Sequence, residues 1–234
     1  MIETQQLRKT FNKGKVVAVD EVTFQAKDGQ ITGLLGPNGA GKTTTMRMLY
    51  TLLEPDSGQM RIKRALGVVP DSRGLYDRLT ARENIRYYGK LQGLDEGTIK
   101  KRIAHFTDVL DMGSFIDRKT DGFSQGQRVK VAIARALLHD PRTVLLDEPS
   151  NGLDVMTTRA LRLFLEQLRQ EGRCVVLSTH IMQEVAALCD RIVIISGGRV
   201  AAQGTAEELL DQSGQSNLED AFVQLIGSDE GLLA

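Results

Sequence analysis

The sequence predicts an α/β fold with a mainly parallel sheet, an antiparallel β flap and an inserted helical lobe, and three observations predict it. Short apolar runs at "ITGLLG", "LGVVP", "TVLLDE", "CVVLSTH" and "RIVIIS" have the near-continuous hydrophobicity of strands covered on both faces, with helical patterns between several of them. The N-terminal "VVAVDEVTFQAKDG" alternates over part of its length and ends in a turn, which suits an antiparallel flap beside the main sheet. From about Ala81 to Asp140 no strand-like run occurs, and "TIKKRIAHFTDVL" places Ile99, Ile103, Phe106 and Leu110 on one helical face.

After the last apolar run, Gly197 and Gly198 join "RIVIIS" to "RVAAQG" as a hairpin. The tail over residues 212–234 is rich in Ser, Gln and Gly and then carries "LEDAFVQLI", short enough to be a docked helix or a frayed end. Residues 1–234 are read as one globular unit, with the helical lobe at about 81–140. Hydrophobic residues make up 41%, yet no run approaches the roughly 20 residues of a membrane-spanning helix, so work at a membrane needs a partner. Thirty basic and thirty acidic residues cancel, which argues against a nucleic-acid binder that must neutralise many phosphates at once. Cys174 and Cys189 make no disulfide framework, and "MIETQQLRKTF" lacks the profile of a signal peptide. The cytoplasm is the expected compartment.

"GPNGAGKT", Gly36 to Thr43, satisfies G-x-x-x-x-G-K-[ST] between a strand-like and a helix-like run. This is the phosphate loop of a P-loop NTPase core. Gly36, Gly39 and Gly41 allow positive φ and close backbone approach, so that N–H groups can curl around the β- and γ-phosphates. Pro37, Asn38 and Ala40 fill the loop, Lys42 adds a point charge, and Thr43 offers its hydroxyl to Mg²⁺, with Thr44 following it.

"TVLLDEPS" is a buried-strand run ending in two carboxylates, Asp147 and Glu148, with a proline that stops the strand. In open α/β sheets ligands gather beyond the carboxyl ends of strands. Asp147 is therefore assigned to the metal, through water, and Glu148 to polarising the attacking water. "STH" closes another strand and puts His180 at the same edge, where an imidazole can reach the γ-phosphate and orient the base. His105 and His139 have no metal-ligand spacing and are read as structural.

A second anion seat stands at "GFSQGQRVKVAIARALL", where Ser124, Gln125, Gly126 and Gln127 open a helix. The order "GPNGAGKT", "FSQGQ", "LLDEPSNGLD", "STH" resembles the ATP-binding subunits of ABC transporters over about the first 210 residues. The wording "GLYDRLTARENIRYYGKL", "EPSNGLDVMTTRALR" and "LEDAF" is similar to the sodium-extrusion and drug-resistance exporters. The resemblance implies an ATPase that needs ATP and Mg²⁺ and works as a head-to-tail homodimer, each signature helix completing the partner's ATP site. It also implies a separate integral-membrane permease, with this chain peripheral on the cytoplasmic face. On that basis Ser124 and Gly126 contact the γ-phosphate held by the twin subunit, and Asn151 to Asp154 lie along the dimer seam. The helix-cap reading of Ser124 is compatible, since the same N–H groups serve both.

Several positions depart from the family's pattern. Asp71 follows "VVP" where the family has glutamine, and it is either a metal ligand or a plain turn residue. The connection between Gly58 and Pro70 is short, so a trimmed flap is expected. Phe11 lies where the family carries an adenine-stacking aromatic, and it either stacks there or packs in the core. Thr80 and Glu83 form a helix capping box, and the neighbouring "GLYDRL" is a candidate groove for a permease helix. The alternative function is a soluble ATP-gated clamp of the same superfamily acting on nucleic acid or ribosomes. The neutral charge and the single cassette stand against it.

Overall fold

Strands β3 (Ile31–Leu35), β6 (Thr143–Asp147) and β7 (Cys174–Thr179) are buried at every position, because both faces of the sheet they share are covered. The computed structural model describes residues 1–62, 65–72 and 74–227. In it, β5 (Leu66–Val69), β6, β7, β3 and β8 (Arg191–Ser196) lie side by side in that order and run parallel. Strand β9 (Arg199–Gly204) closes the sheet antiparallel to β8. Gly197 and Gly198 make that reversal with φ of 54° and 78°, a left-handed pair suited to a two-residue hairpin.

The flap is a separate antiparallel sheet, β2 (Val16–Ala26), β1 (Ile2–Phe11) and β4 (Ser57–Ile62), in the order β2-β1-β4. Helix α1 (Lys42–Leu49) is packed with it against the main sheet: Leu7, Val22 and Phe24 share a core with Met46, Leu49, Val176 and Val193. Periodicity does not announce β1, because its pairing is broken by register shifts, and Gln6 sits at φ 49° within it.

Helices α2 (Ala81–Leu91), α3 (Glu96–Val109) and α4 (Gln125–Leu137) fill the region expected to be helical. Thr80 and Glu83 form the expected capping box: the Glu83 N–H donates to Thr80 Oγ1 at 3.1 Å, and the Thr80 N–H donates to Glu83 Oε2 at 2.8 Å. Ile99, Ile103, Phe106 and Leu110 are buried together, against Val129, Ile133 and, from α5 (Val155–Gln170), Phe164. On the other side of the molecule, α6 (Met182–Leu188) and α7 (Ala206–Ser213) are followed by α8 (Leu218–Ile226). The docked reading of the tail holds over 218–226, where Phe222, Leu225 and Ile226 pack onto Ile192, Ile194 and Leu209. Cys174 is fully buried in β7, and His139 Nε2 lies 2.9 Å from the Leu66 carbonyl, where burial holds its pKa below the usual imidazole range.

Candidate functional site

Between the end of β3 and the start of α1 the chain turns within six residues, and glycines carry the turn for two different reasons. Gly39 and Gly41 lie at φ 80° and 102°, a region L side chains rarely enter. Of the two roles open to a glycine here, positive φ and close backbone approach, Gly36 serves the second: its φ is not positive, and glycine is needed there for space. A Cβ on Gly36 would stand 2.2 Å from the Ile195 carbonyl oxygen. Ala40 is buried beside it, and its carbonyl accepts from the Gly198 N–H at 3.0 Å, tying the loop to the β8–β9 hairpin.

Gly41 is the N-cap of α1 and no side chain caps the helix, so its leading N–H groups are left to the cleft. Asn38, Gly39, Gly41, Lys42, Thr43 and Thr44 line one side of that cleft. Lys42 is buried; its Nζ donates to the carbonyls of Gly36 at 2.8 Å and Pro37 at 3.1 Å. These bonds hold the ammonium inside the curl of its own loop, where phosphate oxygens can replace the carbonyls.

Asp71, Glu148, Asn151 and His180 line the opposite side. Asp147 lies behind them, buried at the end of β6, and accepts a 2.5 Å hydrogen bond from Ser178 Oγ. Burial pushes its carboxyl above the usual carboxylate range; the Ser178 bond opposes this, and the charges of Asp71 and Glu148 add to it. Glu148 leaves the strand at φ 47°, a left-handed conformation that costs a non-glycine residue about 1–3 kcal/mol. Its N–H is held by the Ser178 carbonyl at 3.2 Å and Ser178 Oγ at 3.1 Å. That geometry puts Oε2 2.9 Å from His180 Nδ1 and Oε1 3.5 Å from Lys42 Nζ.

Among the described residues no group of three or more His, Cys, Asp or Glu could hold a metal unaided. Mg²⁺ needs no such group, because it keeps waters and takes one or two carboxylates together with substrate phosphates. The Thr43 hydroxyl and the Asp147 carboxylate fit this donor set, and a cation there would offset the crowding of Asp71, Asp147 and Glu148.

Three sequence-predicted residues are not brought to this cleft. Phe11, at the end of β1, is 39% exposed and lines neither the cleft nor the core. Ser124 caps α4, accepting from the Gln127 N–H at 3.2 Å, and neither it nor Gly126 lines the cleft. A Cβ on Gly126 would lie 3.1 Å from Thr157, so the signature sits beside the start of α5 of its own chain. Ala18 lines the cleft and was not expected; its carbonyl oxygen would lie 2.4 Å from a Cβ on Gly41. An alanine carries no chemical signal that could have marked it.

A strand, a glycine loop wrapped on a helix N-terminus and a strand-end carboxylate pair with a histidine beside it define a P-loop nucleoside triphosphatase. The chain belongs to the ABC transporter family, whose model matches residues 19–151. It is an ATP-binding domain of that family, and an ATPase. It is 41% identical to the ABC transporter ATP-binding protein NatA of Bacillus subtilis, over 92% of this chain and 94% of that protein. It is 35% identical to the linearmycin resistance ATP-binding protein LnrL of the same organism, over 97% of this chain and 74% of that one. Among solved structures it is similar to the ATP binding subunit of an ABC transporter, with a TM-score of 0.88 and 29% identity over 97% of this chain and all of that one. The dimeric post-hydrolysis structure of the cassette MJ0796, bound to ADP and Pi, matches with a TM-score of 0.80 and 26% identity, over 88% of this chain and 98% of that one. No helix among the described residues is long and apolar enough to cross a membrane.

Proposed function

We propose that this chain drives a membrane exporter whose permease is a separate chain, and that it works as a head-to-tail pair in which each signature helix finishes the partner's ATP site. One observation carries the reading: Ser124 and Gly126 stand at an exposed helix N-terminus away from the chain's own phosphate cleft, which is therefore open on one side. A triphosphate bound between two such surfaces joins them, and loss of the γ-phosphate releases them.

Within the closed site Lys42 and the loop N–H groups hold the β- and γ-phosphates. Thr43 and, through water, Asp147 would hold Mg²⁺, with Asp71 beside them, and the cation would supply charge neutralisation on the phosphate oxygens. Glu148 orients a water whose oxygen bonds to the γ-phosphorus as the bond to the β–γ bridging oxygen breaks, its electron pair leaving with ADP. The water's proton passes to Glu148, and His180 Nδ1 keeps that carboxylate in place. Phe11, exposed at the end of β1, offers a ring face to adenine, worth about 1–3 kcal/mol.

The permease contact is assigned to the surface around "GLYDRL". Tyr76, Tyr87 and Leu91 are exposed there, and the Tyr76 and Tyr87 rings meet edge to face at 5.4 Å. On this reading the chain works on the cytoplasmic face of the membrane. Relatives named for linearmycin and doxorubicin resistance support export of a drug-like solute, which the permease selects.

The test is the concentration dependence of ATP hydrolysis. A rate that rises more steeply than in proportion to protein, and that is lost in Ser124→Ala while ATP still binds, supports the shared site. A strictly proportional rate that ignores Ser124→Ala overturns it. Co-purification from membranes with the neighbouring permease checks the partner.

A further inference from the structure

We infer that Glu184 is a positioning residue of this ATPase: its buried carboxylate ties the turn after Glu148 to the segment that carries His180, and so keeps the two side chains paired. The inference rests on the assignment of Glu148 and His180 to turnover. Glu184 is only 6% exposed, and its Oε2 accepts from Ser150 Oγ at 2.6 Å and from Thr179 Oγ1 at 3.0 Å. Thr179 Oγ1 accepts in turn from the Ile181 N–H at 3.0 Å.

Ser150 stands two residues after Glu148, and Thr179 directly precedes His180. Besides the bonds from the Glu148 N–H to Ser178, the two segments are joined in the cleft by Glu148 Oε2 and His180 Nδ1, and behind it by the Ser150–Glu184–Thr179 bridge. The bridge matters because the Glu148 backbone is strained at φ 47°, and a strained residue persists only where its surroundings over-determine it. Its own N–H goes to Ser178 and its carbonyl accepts from the Asn151 N–H at 3.2 Å. The Ser150 hydroxyl links this turn to α6. Ser150 also opens the Asn151–Asp154 segment assigned to the dimer seam, so Glu184 connects the seam to His180.

The experiment uses the full chain with isotope-labelled histidine, whose three imidazoles allow His180 to be assigned by comparison with His180→Ala. In Glu184→Ala, kcat should fall about 10- to 100-fold, the scale set by a misplacement of about 1 Å, with ATP affinity unchanged and the His180 resonances moved. Ser150→Ala, which keeps the Thr179 bond, should do the same to a smaller degree, and it serves if Glu184→Ala fails to fold. Glu184→Gln, whose amide oxygen accepts the same two bonds, should restore both readouts to near the parent values. Unmoved His180 resonances in Ser150→Ala and Glu184→Ala overturn the proposal, as does an equal loss in Glu184→Gln. Moved resonances with unchanged turnover keep the tie and overturn the assignment of the pair to catalysis.

Discussion

Glu148 Oε2 lies 2.9 Å from His180 Nδ1, so the residues that directly follow two adjacent strands, β6 and β7, present a preassembled carboxylate–imidazole pair to the phosphate cleft. Pairing fixes the carboxylate's direction before substrate arrives. Glu148→Gln should therefore keep ATP binding, because the phosphate loop is untouched, and lose hydrolysis by about 10²- to 10⁴-fold, the range of a general base. It should also accumulate as an ATP-bound dimer. Size-exclusion chromatography with ATP and a phosphate-release assay read the two effects, and parent-like turnover would remove Glu148 as the base.

Asp71 lines the cleft and its charge helps raise the Asp147 carboxyl, so it is close enough to act on the same cation. Removing it takes away one of the acidic groups that attract Mg²⁺. Asp71→Ala should raise the Mg²⁺ concentration for half-maximal ATPase activity several-fold, at little cost in kcat once Mg²⁺ is saturating. An unchanged Mg²⁺ titration would return Asp71 to the status of a turn residue.

What the sequence made legible follows from how local the physics is. Gly39, Gly41 and Lys42 could be placed because a phosphate cradle needs glycine conformations and a cation within one short loop. Asp147 and Glu148 could be placed because an apolar strand can end in two acids only at a sheet edge. Close backbone approach at Gly36 was legible but its partner was not, since the carbonyl that excludes a side chain there belongs to Ile195, far along the chain. The Ser178 bond to Asp147 and the Ser150–Glu184–Thr179 bridge depend on strand order and packing, and neither has a spacing signature. Strand β1 was hidden by its own bulges.

The flap is latched to the phosphate loop through Asp20. Its carboxylate, 11% exposed, is bonded by Arg8 and by Arg199, whose Nε donates at 2.8 Å, while its N–H donates to the Gly198 carbonyl at 2.8 Å. The Gly198 N–H reaches the Ala40 carbonyl, so the chain of bonds ends inside the loop. Both arginines are well exposed, which discounts the ion pairs themselves to a small net term. Asp20→Asn keeps the backbone bond to Gly198, so it should destabilise the fold by no more than about 1 kcal/mol and raise the KM for ATP only slightly, with kcat held because Glu148 and His180 are not touched. Thermal melts and an ATP titration check both, and a fall in kcat without a change in KM would contradict the latch.

Asp56 fastens the start of β4 to β1, accepting from Lys9 Nζ at 2.7 Å and from the Thr10 N–H and hydroxyl at 2.7 Å each. The hydrogen bond from Lys9, followed by those from Thr10, holds its carboxyl down at about 2 from the ordinary 3.8. A folded-state value below the unfolded one means the unfolded chain binds the proton first as pH falls. The contribution is thus complete above about pH 4 and is lost as pH drops toward about 2. Asp56→Asn, which cannot titrate, should melt below the parent at neutral pH, with the gap narrowing over that window and closing near its acid end. Melting curves of the two proteins through the window give the measurement, with the difference between them cancelling other acidic groups such as Glu96. A gap that stays constant with pH would show that the Asp56 charge contributes nothing to holding β4 on β1.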